Sequence, residues 1–262
     1  MTAISASLVK ELRMETGAGM MDCKRTLEET GGDLEAAKRL LREKGMAAAG
    51  KRADRSTPEG LVGYRVADGR GTLVAVGCET EPVSKNEAFQ AFAQKALETV
   101  ERDGPGAVES LEDERQQLVG TLGENIQVVG AARFEAGEGE TVVAYVHPPA
   151  LKIGAMVKVR GGSEAQARDL AMHVSFARPR FVDREQVPAA EVEAERDVLM
   201  TTEDVVAKPE NVRGKIVEGR LQKWFADSVL LDQPWYREAG QTVRQAIGDM
   251  DVLDFAVYAL GG

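Results

Sequence analysis

The stretch CETEPVSKNEAF, residues 78–89, gathers unusual chemistry at one corner of the chain. The apolar run LVAV at 73–76 reads as a strand, and Glu79 and Glu81 stand at its end. Pro82 follows, a residue that locks φ near about −65°. A helix pattern with Phe89 and Phe92 then begins. An acid beside a rigid proline makes a specific turn, yet no catalytic machinery accompanies it. The other reactive types are sparse. His147, His173, Cys23 and Cys78 offer four metal-ligand types, but no C-x-x-C or H-x-x-x-H spacing joins them, so no metal site is expected. No nucleophile elbow G-x-S-x-G occurs. GMAAAGKR at 45–52 approaches the phosphate loop G-x-x-x-x-G-K-[ST] and fails twice: Arg52 replaces the magnesium-binding hydroxyl, and the stretch follows a helix instead of a strand. It reads as a linker. No cofactor is expected.

The elements that would carry these residues follow from periodicity. Residues 1–45 read as three short helices. Ile4, Leu8 and Leu12 share a face, and Ser5 is a candidate N-cap. TGAG (16–19) breaks the first helix, Gly31-Gly32 ends the second, and Asp33 caps a third that is expected to stop at Gly45. Met20 and Met21 are adjacent, so a helix turns them about 100° apart. Either one faces the bundle and the other solvent or a partner, or both pack in a loose core. Arg13 precedes the same glycine-rich turn, as a partner contact or a solvated charge. Residues 46–60 read as a linker.

Beyond the linker, LVGYRVAD and GTLVAVGCE alternate about the turn Asp68-Gly69-Arg70, a hairpin signal. Helices are expected over 86–100 and 111–126. The pattern recurs, with strands at 141–148 and 154–162 and a helix at 164–179 stopped by Pro179. His173 lies on that helix, where a packed structural histidine is the plain reading. Two related α+β halves are therefore expected. Residues 185–228 form charged helices separated at Lys208-Pro209, with Val192, Leu199 and Val206 recurring every seven residues. They read as a protruding helical hairpin. A helix at 242–247 and a strand at 252–260 complete the pattern.

Composition bounds the function. The 262 residues are 43% hydrophobic and 29% charged, which supports one to three globular domains. Aromatics are only 5% and the net charge is −10, a poor match to phosphate neutralisation and base stacking, so no nucleic-acid partner is expected. Two distant cysteines suit a reducing compartment. No secretion signal and no membrane span are expected, and the expected location is the cytoplasm.

The run SLVKELRMETGAGMMDCKRTLEETGGDLEAAKRLLREKG resembles the amino-terminal module of the bacterial elongation factor Ts family. CETEPVSKNEAFQAFA resembles that family's core motif, and AMHVSFARPRFV, IVEGRLQKWF and DQPWY continue the likeness in order along the chain. The resemblance implies an α+β fold. A ubiquitin-associated-like three-helix module with a linker would occupy 1–54, and a first core subdomain 55–140. A second core subdomain would occupy 141–182 and 229–262, interrupted by a helical coiled-coil hairpin at 183–228. A further carboxy-terminal helical module, found in some members, is not expected here.

The resemblance also implies a function. Such a protein binds the translation GTPase elongation factor Tu, GDP-bound and nucleotide-free, in a 1:1 or 2:2 complex. It disturbs the magnesium and phosphate sites so that GTP replaces GDP; it makes no bonds. In the family the corner reads Thr-Asp-Phe-Val; here Thr80, Glu81, Pro82 and Val83 stand in those positions, so the charge stays and the aromatic wedge is gone. Arg13, Met20 and Met21 would contact the GTPase domain. His173 would lie on the helix facing the third domain, and Tyr236 would add a core contact. The alternatives are a non-exchanging adaptor or chaperone-like binder of elongation factor Tu, and an enzyme with a pocket assembled from distant residues.

Overall fold

Three helices open the chain in the computed structural model, which describes residues 4–238 and 240–261. Helix α1 (Ala6–Thr16) starts where Ser5 Oγ accepts the Leu8 N–H at 3.2 Å, and it ends at Gly17 with φ 67°. Helix α2 (Met20–Glu29) closes on Gly31 and Gly32, whose φ values of 65° and 92° suit a residue without Cβ. The Gly32 N–H returns to the Leu27 carbonyl at 2.8 Å. Helix α3 (Leu34–Arg52) begins at Asp33, whose Oδ1 accepts the Ala36 N–H at 2.9 Å. Leu12, Cys23, Leu27 and Ala37 are fully buried between the three.

Helix α3 runs through Gly45 to Arg52, past the expected stop. Gly45 serves close approach instead: a Cβ on Gly120 would lie 2.5 Å from the Gly45 Cα. The two backbones touch there, because Gly120 lies in α6 (Glu112–Leu122) of the next region. A glycine inside a helix costs about 1 kcal/mol relative to alanine, and this helix crossing offsets it. The first part of the expected linker, residues 46–52, is therefore helix. GMAAAGKR lies within α3, where its backbone amides belong to a helix and not to a phosphate-cradling loop.

Strands β1 (Glu59–Ala67) and β2 (Arg70–Cys78) form the expected hairpin, turning through Asp68 (φ 51°) and Gly69 (φ 73°). Two left-handed residues in a two-residue loop match the right-handed twist of the strands. The chain then forms α4 (Glu81–Ser84), α5 (Glu87–Asp103) and α6 before β3 (Ile126–Glu135) pairs antiparallel with β2. Strand β3 departs from expectation, since the helix read over 111–126 ends at Leu122 and Gly123 turns the chain at φ 78°. Gly130, Ala131 and Ala132 interrupt the β-forming residues Ile126, Val128, Val129 and Phe134 in the middle of β3. Gly130 lies against the Tyr258 ring, where a Cβ would meet it at 2.2 Å.

The second sheet repeats the plan. Strands β4 (Glu140–Val146) and β5 (Ile153–Arg160) pair, helix α7 (Glu164–Ala177) follows, and β6 (Asp251–Ala259) pairs with β5. Each antiparallel sheet is a hairpin plus a later strand on its second member, in the orders β1-β2-β3 and β4-β5-β6. The fold is α+β. The sheets pack face to face through Val62, Leu73 and Ala75 against Val142, Ala144 and Met156. Helix α5 covers the outer face of the first sheet with Phe89, Phe92 and Ala96, and α7 covers the second with Ala167, Leu170 and Val174. Strand β2 is buried from Gly71 to Cys78 because both of its faces are covered. Each fully buried large aliphatic contributes about 1.5–3 kcal/mol.

Helices α8 (Ala189–Thr201), α9 (Glu203–Val206) and α10 (Glu210–Ser228) come between α7 and β6. Val192 and Leu199 pack on Leu221 and Phe225, as the seven-residue spacing suggests. Val206 does not continue the stripe: it is exposed, and Val205 is buried. The chain leaves the helix at Thr202 (ψ 134°), which resets the phase by one residue. A short helix α11 (Val243–Ile247) leads into β6. Among the described residues no helix is long and apolar enough to cross a membrane.

Candidate functional site

Strand β2 delivers the acidic corner. It ends at Cys78; Thr80 is extended, and α4 makes a single turn before Asn86 caps α5 by accepting the Ala88 N–H at 2.9 Å. Thr80 donates its N–H to Glu124 Oε2 at 2.9 Å and its hydroxyl to Glu124 Oε1 at 2.5 Å. Pro82 lies in the first turn of α4, where a missing N–H breaks no helical bond. It does not serve as the strand stop, because β2 has already ended at Cys78. Val83 packs against the α5 cluster and anchors the turn.

The two glutamates take different roles. Glu79 turns inward and accepts the Asn125 N–H at 2.7 Å, with Arg55 at 3.4 Å. Glu81 points outward, with its side chain 65% exposed, and pairs with Lys85 Nζ at 2.7 Å. The hydrogen bond and charge of Lys85 hold its carboxyl below the usual range, so Glu81 is ionised at neutral pH. Exposed pairs of this kind compete poorly with water, which leaves Glu81 free to exchange Lys85 for another contact. Under the turn, Cys78 donates its thiol to the Thr80 carbonyl at 3.3 Å. Burial, and next the Glu124 charge, push that thiol up to about 12. It stays protonated, unsuited to act as a thiolate nucleophile.

The α1–α2 tip carries Arg13, Met20 and Met21. Arg13 is exposed in the last turn of α1. Met20 and Met21 are 57% and 72% exposed, so neither packs in the bundle. The core face of α2 begins only at Cys23, and side chains lean toward a helix N-terminus. Both methionines therefore project past the end of the bundle. Met14, not singled out in the sequence, is 78% exposed at the same tip.

His173 is buried, not on a surface. Its Nε2 pairs with Gln233 Oε1 at 3.0 Å, and its ring stacks on Trp235 with centroids 5.2 Å apart. Burial lowers its pKa against the smaller opposing effect of Gln233. Tyr236 packs edge-on against Trp235, remains part-exposed, and its hydroxyl accepts from Arg237 Nε at 2.7 Å. One turn along α7 from His173, Phe176 is 81% exposed. The expected contact residues thus lie on separate elements: the α1–α2 tip, the β2–α5 corner, and the α7–Trp235 edge. A cleft of about 450 Å³ between α2, α3 and α6 is lined by none of them.

These features define an α+β protein that offers charged and apolar side chains at helix ends and at an acidic corner. Residues 79–262 match the family profile described as elongation factor TS. Elongation factor Ts of Halorhodospira halophila is 42% identical over 99% of this chain and 92% of that protein. The Alkalilimnicola ehrlichii protein is 39% identical over 99% and 92%, and that of Rhodospirillum centenum 40% over 94% and 87%. The chain belongs to the elongation factor Ts family.

Proposed function

We propose that this protein is a guanine nucleotide exchange factor for elongation factor Tu in translation elongation. It binds the GDP complex, loosens the nucleotide and leaves a nucleotide-free complex that GTP resolves. Its work is protein binding, in the cytoplasm. The observation that carries the corner's part is Glu81: ionised, exposed, and presented by a one-turn helix whose start is pinned. A partner weakens a ligand only by binding the ligand-free state better, and each 1.4 kcal/mol of that preference is about tenfold in nucleotide affinity. Magnesium is held by oxygens and bridges phosphates. A carboxylate brought to its site disturbs the ion, and the nucleotide then loses electrostatic hold.

The remaining assignments follow from this reading. Residues 1–54 act as a ubiquitin-associated-like module that docks the GTPase domain through Arg13, Met20 and Met21. Residues 55–140 are the first core subdomain, and 141–182 with 229–262 the second. Residues 183–228 form a coiled-coil hairpin. The complex is 1:1 or 2:2. Tyr236 makes a contact that buried His173 positions through Trp235. Pro82 replaces the family's phenylalanine with a short rigid side chain. Delivery of Glu81, more than insertion of a ring, therefore drives opening at this corner.

Stopped-flow release of a fluorescent GDP from the cognate elongation factor Tu, at fixed magnesium, tests the reading. The native protein accelerates release. Glu81→Ala loses about tenfold of that acceleration, the scale of one charged contact, and Pro82→Phe gains. Tight binding without faster release would leave an adaptor in place of an exchange factor.

A further inference from the structure

Glu124 and Asn125 lie between α6 and β3, in a loop with none of the expected site residues. The Glu124 carboxylate accepts both donors of Thr80, one on each oxygen. Asn125 is fully buried, and its N–H donates to Glu79 Oε1 at 2.7 Å. Its Nδ2 donates to the carbonyls of Arg55 at 2.7 Å and Ala53 at 3.2 Å, in the segment leaving α3. Gln127 adds a bond to the Ala53 carbonyl at 2.9 Å. Two adjacent residues thus grip the end of β2, the start of α4 and the exit from the three-helix module.

The grip matters because α4 is a single turn, and a single turn does not hold itself in water. Val83 anchors its middle, and Ser84 closes it locally by donating to the Glu81 carbonyl at 2.7 Å. Its N-terminal end is fixed by the two bonds to Glu124 and by the weaker thiol bond from Cys78 to the Thr80 carbonyl. Bonds to a carboxylate are shorter and stronger than neutral ones. Losing them leaves the direction of Glu81 to the packing of Val83, the local Ser84 bond and the weak Cys78 bond.

We propose that Glu124 and Asn125 are the positioning residues of the corner, a role that rests on the exchange reading above. Glu124 sets the direction in which α4 projects Glu81. Asn125 ties that corner to the exit of the three-helix module, so Glu81 and the tip bearing Arg13, Met20 and Met21 meet a partner in one fixed frame. Neither residue touches the nucleotide; each acts through the segments that it holds.

Glu124→Gln is the primary variant, because it keeps shape and removes the charge and one acceptor. Its maximal rate of GDP release from elongation factor Tu falls about tenfold, the scale of a lost charged hydrogen bond, while the half-saturating concentration stays. Thr80→Val gives the same loss, and the double variant loses no more than either alone, as coupled partners do. Amide exchange on the free protein supplies a readout independent of the partner. Protection of residues 80–86 drops in Glu124→Gln, and protection of β2 and β5 holds. For Asn125→Ala, spin labels at Lys24→Cys and Glu98→Cys report a broader distance distribution; native Cys23 and Cys78 are buried and stay unlabelled.

Native release rates and native protection of 80–86 in Glu124→Gln would overturn the role of Glu124. An unchanged distance distribution would overturn that of Asn125. A native protein that leaves GDP release unchanged would instead overturn the exchange reading, and with it any role of the grip in exchange. Amide exchange would still decide whether Glu124 sets the corner.

Discussion

Two connections in this protein are topologically equivalent and built differently. From β2 to α5 the chain passes through residues 79–86; from β5 to α7 it passes through only 161–163. The second is a tight turn. Gly161 and Gly162 take φ near 70°, and a Cβ on Gly162 would meet Met250 at 2.9 Å. Ser163 then starts α7 in a reciprocal capping box with Gln166. Every residue there closes a helix onto a sheet. The first connection does the same with Val83 and Asn86, and has residues to spare. Those extra residues form α4 and place Glu81 in solvent. Within one shared topology, the half with the longer corner carries the exposed acid, which fits the tendency of loops on a rigid scaffold to carry function.

The helices after these corners differ as well. Helix α5 buries two aromatics, Phe89 and Phe92, against its sheet. Helix α7 buries small aliphatics and a histidine, and leaves Phe176 outside. If the halves are one unit joined by the inter-sheet core, damage to either helix lowers one shared stability. Phe89→Ala is expected to cost about 3–5 kcal/mol and Leu170→Ala about 2–5 kcal/mol. Each should shift a single urea transition read by circular dichroism. Two separate transitions would break the picture and make the halves independent.

A smaller effect distinguishes the halves by pH. His173 has its pKa lowered by burial, so the folded protein binds its proton less readily than the unfolded chain does. Between the lowered folded value and the ordinary value of about 6.5, the unfolded state carries more protons, and stability falls as pH drops. Above about 6.5 both states are neutral and the effect is absent; below the folded value the loss levels off. His173→Gln should flatten this part of a stability profile measured by urea denaturation. A profile that keeps its slope would assign the dependence to other groups. The smallest effect belongs to Phe176→Ser, which should change stability by no more than about 0.5 kcal/mol, as surface substitutions do. A larger loss would mean that the ring packs.

Much of this was legible along the chain because it rests on local physics. Ser5 and Asp33 cap helices through bonds to residues three positions away. Asp68-Gly69 turns a hairpin because both residues tolerate positive φ. What was missed depends on distant partners. Gly45 looks like a helix stop until Gly120 is seen against it. Strand β3 is broken in its middle by Gly130-Ala131-Ala132 and completes its sheet on the open edge of β2. Val205 and Val206 exchange roles because Thr202 resets the helix phase.

The candidate site divides in the same way. The order of residues determined the acid beside the proline, the glycine-rich break before Met20 and Met21, and the family, because each lies in contiguous sequence; that both methionines are exposed was decided by the tertiary structure. Only the tertiary structure decided that Glu79 turns in and Glu81 turns out, and that His173 is covered by Trp235. It also decided that Glu124 and Asn125 reach back across more than forty residues to hold the corner. Capping and turns act over one helical turn, so nearby residues specify them. Burial and long-range hydrogen bonds depend on which segments the packed sheets bring together, and the folded chain alone sets that.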